Sequence, residues 1–180
     1  MKQDKTRQLC VKALLTALVL ISTAVFQIPV PATSGYIHVG DSMIFIIAAF
    51  FGPQYGMICG GVGSAMADVL TGYAHWAPFT LIIKGLMGFA VGKLCEHSTA
   101  EKFFNAKYML CPILGIVIMV VGYLLGGTAL KGSFLVSLTS VPSNIIQGVG
   151  GLVIYYVLGA ALFPYKEFFT KGKRIKTHKN

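Results

Sequence analysis

Charge is what this chain has least of. Its 180 residues include 15 Lys and Arg and 6 Asp and Glu, so 12% are charged, where a soluble domain carries about a quarter. With 55% hydrophobic residues and a mean hydropathy of +0.72, this excludes a disordered segment and a water-soluble globule. Patterned cysteine and histidine are also missing. Cys10, Cys59, Cys95 and Cys111 contain no Cys-x-x-Cys pair, and the four His have no partner at helical spacing. The sequence therefore offers no zinc motif, and the cysteines read as small apolar packing residues. A phosphate loop is absent too. Gly88-Phe-Ala-Val-Gly92-Lys93 looks like a fragment of one, but no Ser or Thr follows Lys93 and no strand precedes it. No cofactor and no metal is expected.

What the chain has instead is long uncharged runs: Ala13–Gly40, Ser42–Ala67, Val69–Ile83, Tyr108–Leu130 and Gly132–Tyr165. Crossing a bilayer takes about 20 apolar residues at roughly 1.5 Å each. Cut at their Gly and Pro punctuation, the runs predict six helices, at about 8–30, 41–51, 54–71, 78–94, 108–126 and 142–163. The expected fold is an all-α membrane protein, a six-transmembrane-helix bundle forming one integral membrane domain over 1–180. A basic cytoplasmic tail occupies 164–180. The apolar run that opens the chain lacks an Ala-x-Ala cleavage site before Phe26, so it reads as the first membrane helix, not a signal peptide.

Six spans put both termini on one side. Lys2, Lys5, Arg7, Lys12, Lys93, Lys102, Lys107, Lys166, Lys171, Lys173, Arg174, Lys176 and Lys179 then share that side, and Lys131 stands on the other. The positive-inside rule makes the rich side, with both termini, cytoplasmic. The net charge of +9 thus signals topology beside anionic lipid. The basic stretches 1–12 and 170–180 have no interleaved aromatics, so a nucleic-acid partner is not expected.

Polar residues inside spans are costly and are candidates for function. Asp68 and Lys84 flank the Gly72–Ala77 connection, about 6 and 10 Å below it, and read as a structural ion pair between adjacent helices. Asp41 follows Gly40 and opens a helix, so it reads either as an N-cap or as a binding residue. Trp76 sits at the boundary, as a belt anchor or a ring-stacking residue. Asn144 and Gln147 are three apart and share a helix face, either bridging helices or reading a ligand. Tyr36 and His38 lie in the long Pro31–Gly40 connection, which suits a lid. All of these fall near the outer side and describe a cup, not a channel. No nucleophile and base are brought together by spacing. Small residues at Gly56, Gly60 and Ser64, at Gly88 and Gly92, and at Gly122 and Gly126 suit close helix packing. Ala13-x-x-x-Ala17 on the first helix suits either internal packing or a partner membrane protein.

The runs His38-Val-Gly-Asp41-Ser-Met-Ile-Phe-Ile-Ile-Ala-Ala-Phe-Phe-Gly-Pro53-Gln-Tyr-Gly56, Gly60-Gly-Val-Gly-Ser64-Ala-Met-Ala-Asp68 and Gly72-Tyr-Ala-His-Trp76-Ala-Pro-Phe-Thr80-Leu-Ile-Ile-Lys84-Gly85 resemble the substrate-binding S components of energy-coupling-factor (ECF) vitamin transporters. The likeness is to the riboflavin-type branch, which includes hydroxymethylpyrimidine and pyridoxine proteins. It is strongest over residues 36–92. The resemblance implies a subunit in the prokaryotic plasma membrane that captures a small heteroaromatic B vitamin on the outer face. It also implies partners: a transmembrane T component, docked through Ala13 and Ala17, and two ATPases that carry the ATP hydrolysis. The chain itself is then no enzyme. The substrate-binding set expected from depth is Tyr36, His38, Asp41, Trp76, Lys84, Asn144 and Gln147. The rival readings are an integral membrane enzyme acting on lipid or a small molecule at the same polar cluster, and a structural membrane subunit.

Overall fold

A computed structural model describes residues 2–31, 35–96 and 103–166. Six principal helices run as α1 (Lys2–Val25), α2 (Gly40–Phe51), α3 (Pro53–Leu70), α4 (Ala77–Glu96), α5 (Ala106–Lys131) and α7 (Val141–Leu162). A short α6 (Phe134–Leu138) lies between the last two. Two strands, β1 (Gln27–Val30) and β2 (Gly35–His38), form an antiparallel hairpin between α1 and α2. Four stretches are long and apolar enough to cross a bilayer: Lys5–Val25, Ala77–Glu96, Ala106–Lys131 and Phe134–Tyr165. The outer surface presents Leu14, Val25, Ile82, Leu125, Val157 and many other large apolar side chains, which suits lipid and not water. The chain is an all-α membrane protein.

The helix ends correct the sequence reading at two places. The first helix stops at Val25, not Val30, because Pro29 cannot continue a helix, and Ile28 and Val30 serve a strand equally well. Residues 27–30 instead pair with 35–38, with Gln27 opposite His38 and Pro29 opposite Tyr36. The expected loop over Pro31–Gly40 is therefore half of a hairpin that begins earlier. Asp41 is not an N-cap. Helix α2 starts one residue before it, with Val39 in the cap position and no side-chain cap bond. The basic tail beyond Lys166, and Lys102, lie outside the described residues.

The bundle is built around α3, which packs against α1, α2 and α4, while α7 closes on α2 and α5. Glycine makes this close approach possible. A methyl group on Gly56 would lie 2.5 Å from the Gly88 carbonyl oxygen, so the two backbones touch. Gly52, with φ 90°, turns the chain between α2 and α3 in a conformation that only glycine takes without strain. Pro53 then starts α3, where its missing N–H costs nothing.

At the end of the bundle away from the hairpin, Phe103, Tyr108, Tyr155 and Phe163 form one aromatic cluster, with ring centroids 5.4–5.9 Å apart. Pro112 inside α5 has no N–H for the Tyr108 carbonyl. The Tyr155 hydroxyl on α7 donates to that carbonyl at 3.1 Å, and the Tyr156 hydroxyl donates to the next one, Met109, at 2.7 Å. Beside them the buried thiols of Cys95 and Cys111 are in contact, Sγ to Sγ 2.8 Å.

Candidate functional site

The polar groups gather under the hairpin. Lys84 on α4 is fully buried, and so is Asp41 on α2. Lys84 Nζ donates to Asp41 Oδ1 at 2.5 Å. The second carboxylate oxygen accepts from Gln147 Nε2 on α7 at 2.8 Å. Three helices are thus joined by one charge-assisted network. Lys84 also faces Met119 Sδ at 3.0 Å and the Tyr123 ring at 5.4 Å from its centroid. A buried ammonium without a carboxylate would be very costly. Asp41 meets that demand, and its place in the first turn of α2 adds the favourable end of the helix dipole.

The expected Asp68–Lys84 ion pair is not what the structure holds. Asp68 is 4% exposed and accepts from the Tyr36 hydroxyl at 2.5 Å through Oδ1. The need of each buried charge for a partner on an adjacent helix suggested the pairing of Asp68 with Lys84. The start of α2, however, reaches the same depth and faces Lys84 directly.

The hairpin is tied to this network. The backbone N–H of His38 donates to Gln147 Oε1 at 3.3 Å, and the Gly40 N–H donates to His38 Nδ1 at 3.1 Å. Burial holds the His38 imidazole neutral and pushes its pKa down to about 4, against the opposing pull of Asp41; the Lys84 charge adds to the depression. Burial, reinforced by the neighbouring Asp68 carboxylate, raises the Tyr36 phenol above its ordinary value. Tyr36 is therefore a hydrogen-bond donor at any physiological pH. Gln27 on β1 donates to Thr71 at the end of α3 at 3.3 Å.

Between hairpin and bundle lies a cavity of about 50 Å³, lined by Gly35, Tyr36, His38, Asp68, Trp76, Thr80, Tyr123, Ser140, Asn144 and Gln147. Five of the seven residues expected to bind substrate are on its wall: Tyr36, His38, Trp76, Asn144 and Gln147. Asp41 and Lys84 stand behind it and fix Gln147. Trp76 is buried and meets Tyr123 edge-on at 5.8 Å, so it belongs to the cavity and not to a surface belt. Sequence reasoning missed Thr80, Tyr123, Ser140 and Asp68 as wall residues. Tyr123 had a usable signal, a phenol two turns inside the helix end at Lys131. Ala13 and Ala17 are both exposed on α1. Among the described residues no cluster of His, Cys, Asp and Glu is arranged to hold a metal ion.

Comparison with known proteins agrees with this architecture. The chain is 40% identical over 144 residues to a Pyrococcus woesei protein described as "Uncharacterized protein in gap 3'region", covering 80% of this chain and 93% of that one. It is 28% identical over 160 residues to the "Thiamine precursor transporter HmpT" of Lactococcus lactis subsp. cremoris, covering 88% and 89%. A shorter match, 30% over 76 residues, covers 42% of this chain and 41% of a UPF0397 protein of Streptococcus pneumoniae. The family model described as "ECF-type riboflavin transporter, S component" matches residues 3–163. A six-helix membrane bundle with a polar cup at one end, matched over nearly its whole described length, belongs to the family of riboflavin-type S components of ECF transporters, which are transport subunits and not enzymes.

Proposed function

We propose that this subunit captures a small heteroaromatic B vitamin or vitamin precursor of the riboflavin, pyridoxine or hydroxymethylpyrimidine class in the cavity under the hairpin. The observation that carries the reading is the composition of that wall. Trp76 and Tyr123 offer ring faces, while Asn144, Gln147 and the Tyr36–Asp68 pair offer directional polar groups. This is the mixture a heteroaromatic ring with polar edges requires. The hairpin end faces outward and both termini lie in the cytoplasm of a prokaryotic cell, in keeping with the distribution of Lys and Arg.

The cavity of about 50 Å³ holds water but not a vitamin, since ligand pockets run to some 300 Å³ or more. Capture therefore starts with movement of the hairpin. Among the described residues its ties to the bundle include hydrogen bonds from Tyr36 to Asp68, His38 to Gln147 and Gln27 to Thr71 and a ring contact of Tyr36 with Tyr73, and opening breaks these and leaves the contacts between helices intact. Once a ring enters, Tyr36 and His38 close over it. Asp41 and Lys84 hold Gln147 in place from behind. Release inward takes a T component docked on the exposed Ala13 and Ala17 face of α1, and two ATPases.

Calorimetric titration of the purified protein against riboflavin, pyridoxine, thiamine and a hydroxymethyl aminopyrimidine tests the capture step. One of them binds below micromolar concentration and quenches Trp76 fluorescence; failure of all four to bind sinks the reading. Replacing Ala13 and Ala17 by Leu abolishes uptake and leaves binding intact. Loss of binding in that variant removes the docking assignment.

A further inference from the structure

The cavity wall carries one group that its surroundings do not satisfy. Asp68 is 96% removed from solvent, taking its 4% exposure as the remainder, and its Oδ1 is occupied by Tyr36. Its Oδ2 is buried and has no hydrogen-bond partner among the described residues. The Thr80 hydroxyl faces the same carboxylate and shares a hydrogen bond with the Tyr123 hydroxyl at 3.1 Å, too far from Oδ2 to count as its partner. The basic side chains that act on it are Lys84 and His75. Lys84 is held by Asp41, and His75 is exposed on the connection before α4. The buried cluster thus has two carboxylates, Asp41 and Asp68, against one ammonium, Lys84. An acceptor left unpaired in a low-dielectric site is expensive, and Asp68 belongs to the wall of the space where the ring would enter.

From this unfilled oxygen we infer that Asp68 determines substrate class: it accepts a hydrogen bond from an N–H of the captured ring, selecting an amino-substituted or ring-protonated heteroaromatic over one that presents only carbonyl oxygens. The inference rests on the capture reading and refines it. A carboxylate has acceptors only and repels a carbonyl at the same place. An exocyclic amine beside a ring nitrogen supplies the missing donor. A proton on that ring nitrogen would also offset the excess negative charge of the cluster. Tyr36 is the positioning residue, since its hydroxyl holds the carboxylate through Oδ1 and leaves Oδ2 without a partner.

The test is a matched pair of ligands, a hydroxymethyl aminopyrimidine and its counterpart in which the exocyclic amine is replaced by a methoxy group and which therefore has no N–H, titrated into the full chain in detergent beside riboflavin and pyridoxine. The wild-type protein binds the amino compound more tightly than the methoxy compound by about tenfold to a hundredfold, the range expected when one buried polar group is left unpaired. In Asp68→Asn, whose amide can donate as well as accept, that preference falls to within about threefold or reverses. The wild-type ratio needs no variant, so a misfolded Asp68→Asn protein leaves the test standing. Equal binding of the two pyrimidines by the wild type, tight binding of riboflavin with neither pyrimidine bound, or tight binding of pyridoxine, whose ring nitrogen carries a proton at neutral pH, that Asp68→Asn leaves unchanged, overturns the role of Asp68 and leaves capture intact. Binding of none of the four overturns both.

Discussion

The two ends of this bundle are held together by opposite means. At the hairpin end Asp41, Lys84 and Gln147 join three helices through charge and hydrogen bonds. At the other end Phe103, Tyr108, Tyr155 and Phe163 pack as rings, and their polar contacts satisfy backbone carbonyls. Aromatic packing adds stability with little demand on its partners. A buried ion pair is a poor stabiliser but punishes the loss of either member. The polar end is therefore the fragile one, and it also holds the cavity under the hairpin.

This contrast can be broken from either side. The largest effect is expected from Lys84→Met, which strands a buried carboxylate and costs about 3–5 kcal/mol, read as a fall in the thermal midpoint in detergent. Adding Asp41→Asn recovers a good part of that loss; if the double variant is no better than the single one, the pair is not the reason for the fragility. Acid comes next. The His38 pKa is about 4 in the fold and 6.5 when free, so the unfolded chain takes up its proton first. Stability is unaffected by this group above pH 6.5 and falls by about 1.4 kcal/mol per unit from there towards pH 4. His38→Gln removes the slope, and a slope unchanged by that substitution assigns it to other groups.

Smaller effects separate closure from stability. Tyr36→Phe breaks the tie to Asp68 and weakens binding by about tenfold, while unfolding shifts by about 1 kcal/mol; a large shift in melting with unchanged affinity would make Tyr36 structural. The smallest is Tyr155→Phe at the aromatic end. It costs about 1 kcal/mol through one hydrogen bond and leaves titration with the vitamin panel unaltered. Weakened binding there would mean that the two ends are coupled.

Much of this was legible in the sequence because hydropathy and depth are one-dimensional. The uncharged runs located the principal helices, and counting residues from each boundary brought Trp76, Asn144 and Gln147 to one level. The side of a helix on which a group points is not given by depth. That is why Asp68 was matched to Lys84, when α2 presents Asp41 to it instead. The hairpin was hidden for another reason. Strand pairing between 27–30 and 35–38 leaves no apolar alternation that stands out beside a membrane helix, and Pro29 was the only local hint. Tyr123 was hidden by its surroundings, one phenol in a run of aliphatic residues.

Pro112 carries a consequence for how α5 and α7 move. The gap it leaves in the hydrogen-bond ladder of α5 is a fixed notch, one carbonyl wide, and the Tyr155 hydroxyl sits in it. Were α7 to slide by a turn, Tyr155 would face a carbonyl already bonded within its own helix, and the Tyr108 carbonyl would lose the Tyr155 hydroxyl. The two helices are thus indexed against each other at the aromatic end like a key in a keyway. On the capture reading, the motion that admits a ligand is then taken up at the hairpin.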